Sequence, residues 1–453
     1  VVEDMKMVSP SIRDVALRAL YQSDTDGIFV RDALGDLFHQ YTFDGRNRSF
    51  ATELVYGTVR WRKRLDSVLN QLIRRGTDSL TPWIHNILRM GVYQLMMMDQ
   101  VPDAAATDEA VKLAKRYGHK GTVGLTNAVL RSVIRQRRQL LSPNQTGDII
   151  KDLSLAHSYP EWIVQRWVER YGHQEAIALL EAGNRTPPVV IRVNTQKTTM
   201  DKLTELLVSD GVQVETCPGF EDYLTIRNTG NIQRLSGYSD GFFQVQDKSA
   251  GLAVRLLDPQ PGETIIDLCS APGGKTTYIS HLQKDQGRII ACDFASKRLR
   301  RVRAHCRRLQ LKNVWMLAMD GCKPGLHIQA DRVLVDAPCS GLGTIARRAD
   351  LRWRRKPEDI PAAQQIQKAL LDNSADLVKP GGTLVYSTCT IETEENEDVL
   401  AYFCKGHSEF EVEKPVTWPS ALSDVMDTQG IIRTLPSRHG IDGSFAVRLR
   451  KTG

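Results

Sequence analysis

The chain has 453 residues, too many for one ordinary hydrophobic core, and its 41% hydrophobic and 25% charged content is that of a folded globular protein. It carries no basic-then-apolar leader pattern and no apolar run of ~18 residues, so a membrane span is not expected and a cytoplasmic setting is. A net charge of +7 leans towards a polyanionic partner, and none of the eight cysteines has C-x-x-C spacing, so reduced thiols without a metal site are expected.

From Ser9 to about Gln139 the residues repeat at helical spacing. Ile12, Val15, Ala16, Ala19 and Leu20 form one stripe, and Leu54, Val55, Val59, Leu65, Val68, Leu69 and Leu72 form a second along Phe50 to Leu72. Trp83 to Met98 is a more apolar helix stopped by Pro102 and Asp103, and further helices are expected over Asp108–Tyr117 and Val123–Arg138. Arg60, Arg62, Lys63 and Arg64 beside Trp61 would suit a phosphate-contacting face, or simply a solvated one. The patterns Glu53-Leu-Val-Tyr-Gly-Thr-Val-Arg60, Arg89-Met-Gly-Val-Tyr-Gln-Leu95 and Gly124-Leu-Thr-Asn-Ala-Val-Leu-Arg131 resemble the NusB-like, all-helical RNA-binding domain.

Ser142-Pro-Asn-Gln-Thr-Gly147 reads as a linker, followed by two short helices, the first near Glu161–Tyr171. A strand over Val189–Asn194, a helix over Thr199–Asp210 and short strands at Tyr223–Arg227 and Phe242–Val245 suggest a small α/β insert. From Lys248 the rhythm becomes strand, helix, strand, with strands at Thr264–Leu268, Arg288–Cys292, Val314–Ala318, Arg332–Val335, Thr383–Ser387 and Phe445–Leu449. That alternation predicts a Rossmann-like parallel sheet wrapped by helices, with ligands at the carboxyl ends of the strands. The expected domains are therefore 1–141 (all-helical), 142–247 (small α/β) and 248–453 (catalytic α/β).

At those strand ends lie Cys269, Ser270, Ala271, Pro272, Gly273, Gly274 and Lys275 after the first, Asp293 after the second, Asp320 after the third and Asp336 after the fourth. Three aspartates at successive strand ends suit a nucleoside pocket, the one at 293 accepting from ribose hydroxyls. Gly274-Lys275-Thr276 matches the end of a phosphate-binding P-loop, but Cys269 stands where that loop needs its first glycine. The run is not G-x-G-x-x-G either. Ribose and adenine contacts without a phosphate cradle favour S-adenosylmethionine.

Asp267-Leu-Cys-Ser-Ala-Pro-Gly-Gly-Lys-Thr276, Asp336-Ala-Pro-Cys-Ser-Gly-Leu-Gly343 and Tyr386-Ser-Thr-Cys-Thr390 together resemble the RNA 5-methylcytosine methyltransferases, and with the helical front end the small-subunit ribosomal RNA type. The resemblance implies methyl transfer to C5 of a cytosine, a carbon that becomes nucleophilic once a thiolate adds to C6. It further implies Cys389 as nucleophile and Cys339 as the thiol that assists release, with Asp336 as an acid at N3 or N4. Lys275 is expected to lower a thiol pKa or to contact the base. Arg347, Arg348, Arg352, Trp353 and Arg354 follow Cys339 and are expected to bind RNA by phosphate contacts and stacking. A monomer acting on small-subunit ribosomal RNA is the expected arrangement. A transfer RNA methyltransferase and a catalytically silent RNA-binding assembly factor are the competing readings.

Overall fold

Ser11 begins the first helix, Ile12–Thr25, by accepting a hydrogen bond from Asp14 N at 3.2 Å, and the stripe it launches (Val15, Ala16, Ala19, Leu20) is buried. The computed structural model describes residues 10–141 and 146–452, so residues 142–145 of the expected linker lie outside the described residues. Two units cluster separately: residues up to Asn184 with Arg348–Arg354, and Arg185–Arg347 with Arg355–Gly453.

The first unit is helical, continuing through Val30–Gln40, Gly45–Arg60, Arg62–Leu72, Pro82–Met97, Asp103–Tyr117, Lys120–Leu141, Ile149–His157 and Glu161–Asn184. The stretch expected as one helix to Leu72 breaks at Trp61, which closes one helix and opens the next. The helix Val30–Gln40 was not expected. Pro102 does not merely end a helix but caps the following one, which starts at Asp103 rather than Asp108. Gly57 is required by close packing, because a Cβ there would lie 2.0 Å from the Tyr93 ring, whose hydroxyl donates to Glu53. The helices after the linker cluster with this unit rather than with the insert. Lys63 reaches Ser154 and Glu161, Arg64 donates to the Ala156 carbonyl, and Arg62 pairs with Asp24 at 3.3 Å. With Arg60 itself 3% exposed, the basic cluster at 60–64 is engaged inside the unit and is not an open phosphate-contacting face.

The second unit holds two sheets. The smaller is antiparallel, in the order β2-β3-β1-β4, from β1 (Val189–Val193), β2 (Gln213–Cys217), β3 (Phe220–Arg227) and β4 (Phe243–Val245), with the helix Met200–Ser209. The larger comprises β5 (Thr264–Asp267), β6 (Arg288–Asp293), β7 (Val314–Ala318), β8 (Ala330–Asp336), β9 (Val378–Thr388), β10 (Phe410–Val412), β11 (Ile432–Thr434) and β12 (Ser444–Lys451). Its order is β10-β12-β9-β8-β5-β6-β7, with β11 on β12. Strands β5 to β9 are parallel and β12 runs antiparallel against β9. Ile265, Ile266, Ile289, Val333 and Leu334 are buried from both faces, which is why these strands read as unbroken apolar runs. Burying each such side chain contributes about 1.5–3 kcal/mol. The chain order reverses between β5 and β8, so a crevice opens at their carboxyl ends. Among the described residues no helix is long and apolar enough to cross a membrane.

Candidate active site

The loop leaving β5 is folded around Asp267. Thr276 Oγ1, on the helix Gly274–Leu282, donates to Asp267 Oδ2 at 2.6 Å and ties the loop's two ends together. Burial pushes this carboxyl up to about 7 despite that bond. Gly273 has φ +104, and a Cβ there would also press on the Val302 backbone at 3.1 Å, so the turn requires glycine. Asp293, at the end of β6 and 1% exposed, accepts from Ala271 N and Ala295 N and pairs with Arg298, which fixes the loop against β6. Asp320 is exposed just beyond β7, and its carboxylate accepts from Cys322 N at 2.9 Å. Cys269, half-buried, has a thiol that burial holds well above its usual range.

Beside this loop the ends of β8 and β9 lie in parallel register, Asp336 opposite Ser387. Each strand ends in a thiol-bearing turn, and the Cys339 and Cys389 sulfurs are 3.2 Å apart. Cys389 N also points to the Cys339 sulfur at 3.4 Å. The neighbouring thiol and burial together hold Cys339 protonated, far above its ordinary pKa. Lys275 Nζ forms an ion pair with Asp336 Oδ2 at 2.7 Å, while Ser387 donates to Asp336 Oδ1. Burial works against the lysine's charge, but Asp336 outweighs it and raises the pKa. Cys389, Cys339, Asp336 and Lys275, expected from separate motifs, thus come together at one crevice with the β5 loop.

The arginine-rich stretch is different. Arg347 binds Asp247 at 2.6 Å, Asp442 at 3.0 Å and the Pro188 carbonyl at 3.0 Å, leaving no free face of its guanidinium for a phosphate. Arg352, 0% exposed, lies 3.9 Å over the Tyr159 ring and donates to Asn184 and to the carbonyls of Gly183, Ser158 and Arg60. Trp353 Nε1 donates to the Val59 carbonyl at 2.7 Å, and Arg354 binds the Gly27 and Ile28 carbonyls while covering Phe29. The expectation that Arg347, Arg352, Trp353 and Arg354 touch RNA is therefore corrected: their polar groups are bonded within the protein. Arg348 is exposed.

Three family models match in chain order: NusB family at residues 10–135, the Methyltr_RsmF/B-like ferredoxin-like domain at 159–233, and 16S rRNA methyltransferase RsmB/F at 254–450. The chain is 35% identical to the "Probable ribosomal RNA small subunit methyltransferase B" of Bacillus subtilis (strain 168), over 99% of this chain and 100% of that one. It is 33% identical to the ribosomal RNA small subunit methyltransferase B of Photorhabdus laumondii subsp. laumondii, over 97% and 99%. The chain belongs to the ribosomal RNA small subunit methyltransferase B family. A methyltransferase homologue from Pyrococcus horikoshii of solved structure is 30% identical, with a TM-score of 0.58 over 68% of this chain and 100% of that one. The protein is a methyltransferase, and the helical front end, the ferredoxin-like insert and the Rossmann-like sheet are those of its family.

Sequence reasoning passed over the residues that hold the two cysteine turns. Glu395, 0% exposed, accepts from Ser340 N at 2.7 Å and from Gln367 Nε2, which also donates to the Pro338 carbonyl. Its neighbour Asn396 accepts from Thr388 Oγ1 at 2.6 Å and donates to the Thr390 carbonyl at 3.2 Å. Two consecutive residues thus hold the turns of Cys339 and Cys389. Arg355 donates to the Ser340 and Cys339 carbonyls, and Gly343 N donates to the Cys389 carbonyl. The available signal was the polar cluster Glu392-Thr-Glu-Glu-Asn396 directly after Cys389, which looks like a solvated turn in one dimension.

Proposed function

We propose that this methyltransferase methylates C5 of a cytosine in 16S, small-subunit ribosomal RNA, through a covalent bond between Cys389 and C6 of the base. The observation that carries the reading is the pair of thiols 3.2 Å apart beside the Lys275–Asp336 ion pair. The relatives' names supply the class of RNA.

S-adenosylmethionine fits the β5 loop. The buried Asp267 Oδ1 and Ser270 Oγ have no hydrogen-bond partner, the first an acceptor suited to an ammonium group, and no phosphate cradle is formed. Cys269 to Lys275 and Asp293 would hold it, with Asp320 and Asp336 at the rim. When bound, it supplies the methyl group from its sulfonium.

The protein's own residues carry the remaining steps. Cys389, as thiolate, forms a bond to C6, and the electron pair of the C5–C6 double bond moves through the ring towards N3. Asp336, paired with Lys275, is positioned to hold a proton at N3 or N4 and so to accept that charge. C5 then takes the methyl group, the proton on C5 is lost to a base, and the C6–sulfur bond breaks as the double bond returns. Cys339 assists this last release. The Lys275 ammonium favours the thiolate form of a thiol beside it.

For the division of labour we assign RNA capture to residues 1–141, a connecting role to 142–247 and catalysis to 248–453. A monomer working in the cytoplasm is the simplest setting.

Cys389→Ala is expected to abolish methyl transfer while cofactor binding persists, and full activity would exclude Cys389 as nucleophile. Cys339→Ala is expected to accumulate a covalent protein–RNA complex on a denaturing gel; accumulation by Cys389→Ala instead would exchange the two roles. Bisulfite sequencing of ribosomal and transfer RNA from a deletion strain tests the substrate.

A further inference from the structure

The helices Ile12–Thr25, Pro82–Met97 and Asp103–Tyr117 bring Tyr21, Trp83 and Tyr117 into one column. Tyr21 and Trp83 have centroids 3.7 Å apart at 8°, and Trp83 and Tyr117 are 4.2 Å apart at 14°. These rings line a cavity of 490 Å³, a volume within the ~300–1,000 Å³ range of small-ligand pockets. Aromatic side chains packed in cores favour offset or edge-to-face contacts, whereas three near-parallel, partly exposed rings present flat faces.

Gln22 and Gln40 line the same cavity, and their side-chain amides bond to no other described residue; the same holds for the Tyr21 hydroxyl and the Trp83 indole N–H. Arg18 and Arg116 also face it, but Asp14 pairs with both, at 3.1 and 3.2 Å, and Asp26 adds a second carboxylate. Charge is balanced here, so the cavity is not a trap for a run of phosphates. Flat aromatic faces with uncommitted amide donors and acceptors match one unstacked nucleobase.

We propose that this cleft of the helical unit binds an unpaired base of the RNA substrate, a base other than the methylated cytosine. The proposal rests on the reading of the protein as an RNA methyltransferase. It also supplies the RNA contact that the engaged arginines at 60–64 do not.

The test uses the full chain and short single-stranded RNAs from around the methylated cytosine, each lacking one base in turn. Loss of the recognised base is expected to weaken binding to the wild type roughly 5- to 100-fold, the scale of one stacked base. Trp83→Leu should reproduce that loss, should be indifferent to the same abasic position, and should do so equally at low and high salt, because no phosphate contact is removed. Gln40→Ala, on the exposed rim, should give a smaller loss, with KM for RNA raised and kcat kept. Wild-type affinity in both variants overturns the proposal, as does an abasic penalty that Trp83→Leu leaves unchanged. A variant that keeps RNA affinity but loses binding to a small-subunit protein reassigns the cleft to protein. Failure of the wild type to bind or methylate any of these RNAs overturns the substrate reading instead.

Discussion

Lys275 and Arg352 are both buried cations in stretches that look functional, and their surroundings are opposite. Lys275 faces a carboxylate at 2.7 Å, in a crevice where two thiols and an orphaned carboxylate oxygen also converge. Arg352 has no carboxylate against it. Carbonyl oxygens, Asn184 and the Tyr159 ring take up its guanidinium, and burial lowers its pKa to about 10, so it stays charged at neutral pH. A buried cation beside a strand-end carboxylate can exchange its partner for a substrate. One ringed by main-chain carbonyls fastens chain segments together.

The sharpest way to break this contrast is to remove each charge. Lys275→Met should lower kcat roughly a thousandfold, within the ~10²–10⁴ range of proton-transfer and electrostatic partners, while thermal unfolding stays near wild type. A large fall in melting temperature with activity retained would make Lys275 a second structural cation. Arg352→Leu should do the reverse: about 2–4 kcal/mol of stability lost through stranded carbonyls, read by urea unfolding, with RNA affinity kept in the folded fraction. Selective loss of RNA binding by a stable Arg352→Leu protein would restore the RNA-contact reading. Smaller again, Asn396→Ala should cut kcat about 10- to 30-fold without raising either KM, because it loosens the Cys389 turn and touches no substrate. A pure KM effect would place Asn396 in a binding role.

The same contrast explains what was legible. The strands from β5 to β9 are read directly because parallel strands buried on both faces become runs such as Ile265-Ile266 and Val333-Leu334-Val335, and their carboxyl ends then locate Asp267, Asp293, Asp336, Cys339 and Cys389. Topology did the locating. For Arg347–Arg354 only composition was available, and an arginine that binds phosphate is written with the same letter as one that binds carbonyls. Glu395 and Asn396 escaped for a related reason, since their polarity suits a solvated turn and only the three-dimensional fold buries them beneath the cysteines. The short strands β2, β10 and β11 and the helix Val30–Gln40 were missed because their patterns are brief or broken by Gly35. The break at Trp61 lies inside an unbroken helical stripe, so periodicity carries no trace of it.

Asp267 gives the mildest test and extends the contrast to an anion. Its carboxyl, raised to about 7 by burial, holds a proton in the ligand-free protein through the mildly acidic range, whereas unfolded it would ionise near ~3.9. The folded state therefore binds more protons than the unfolded state between these values, so this group's contribution to stability is present below ~4 and lost as pH rises towards 7. Cofactor binding should run the other way. An ammonium group beside Oδ1 needs the ionised carboxylate, so affinity should fall up to about tenfold per pH unit below 7, with a proton released on binding, and level off above it. Asp267→Asn should flatten both profiles. Calorimetry in buffers of different ionisation enthalpy counts the proton, and a binding isotherm independent of pH between 6 and 8 would mean that the cofactor's charge is met by another group.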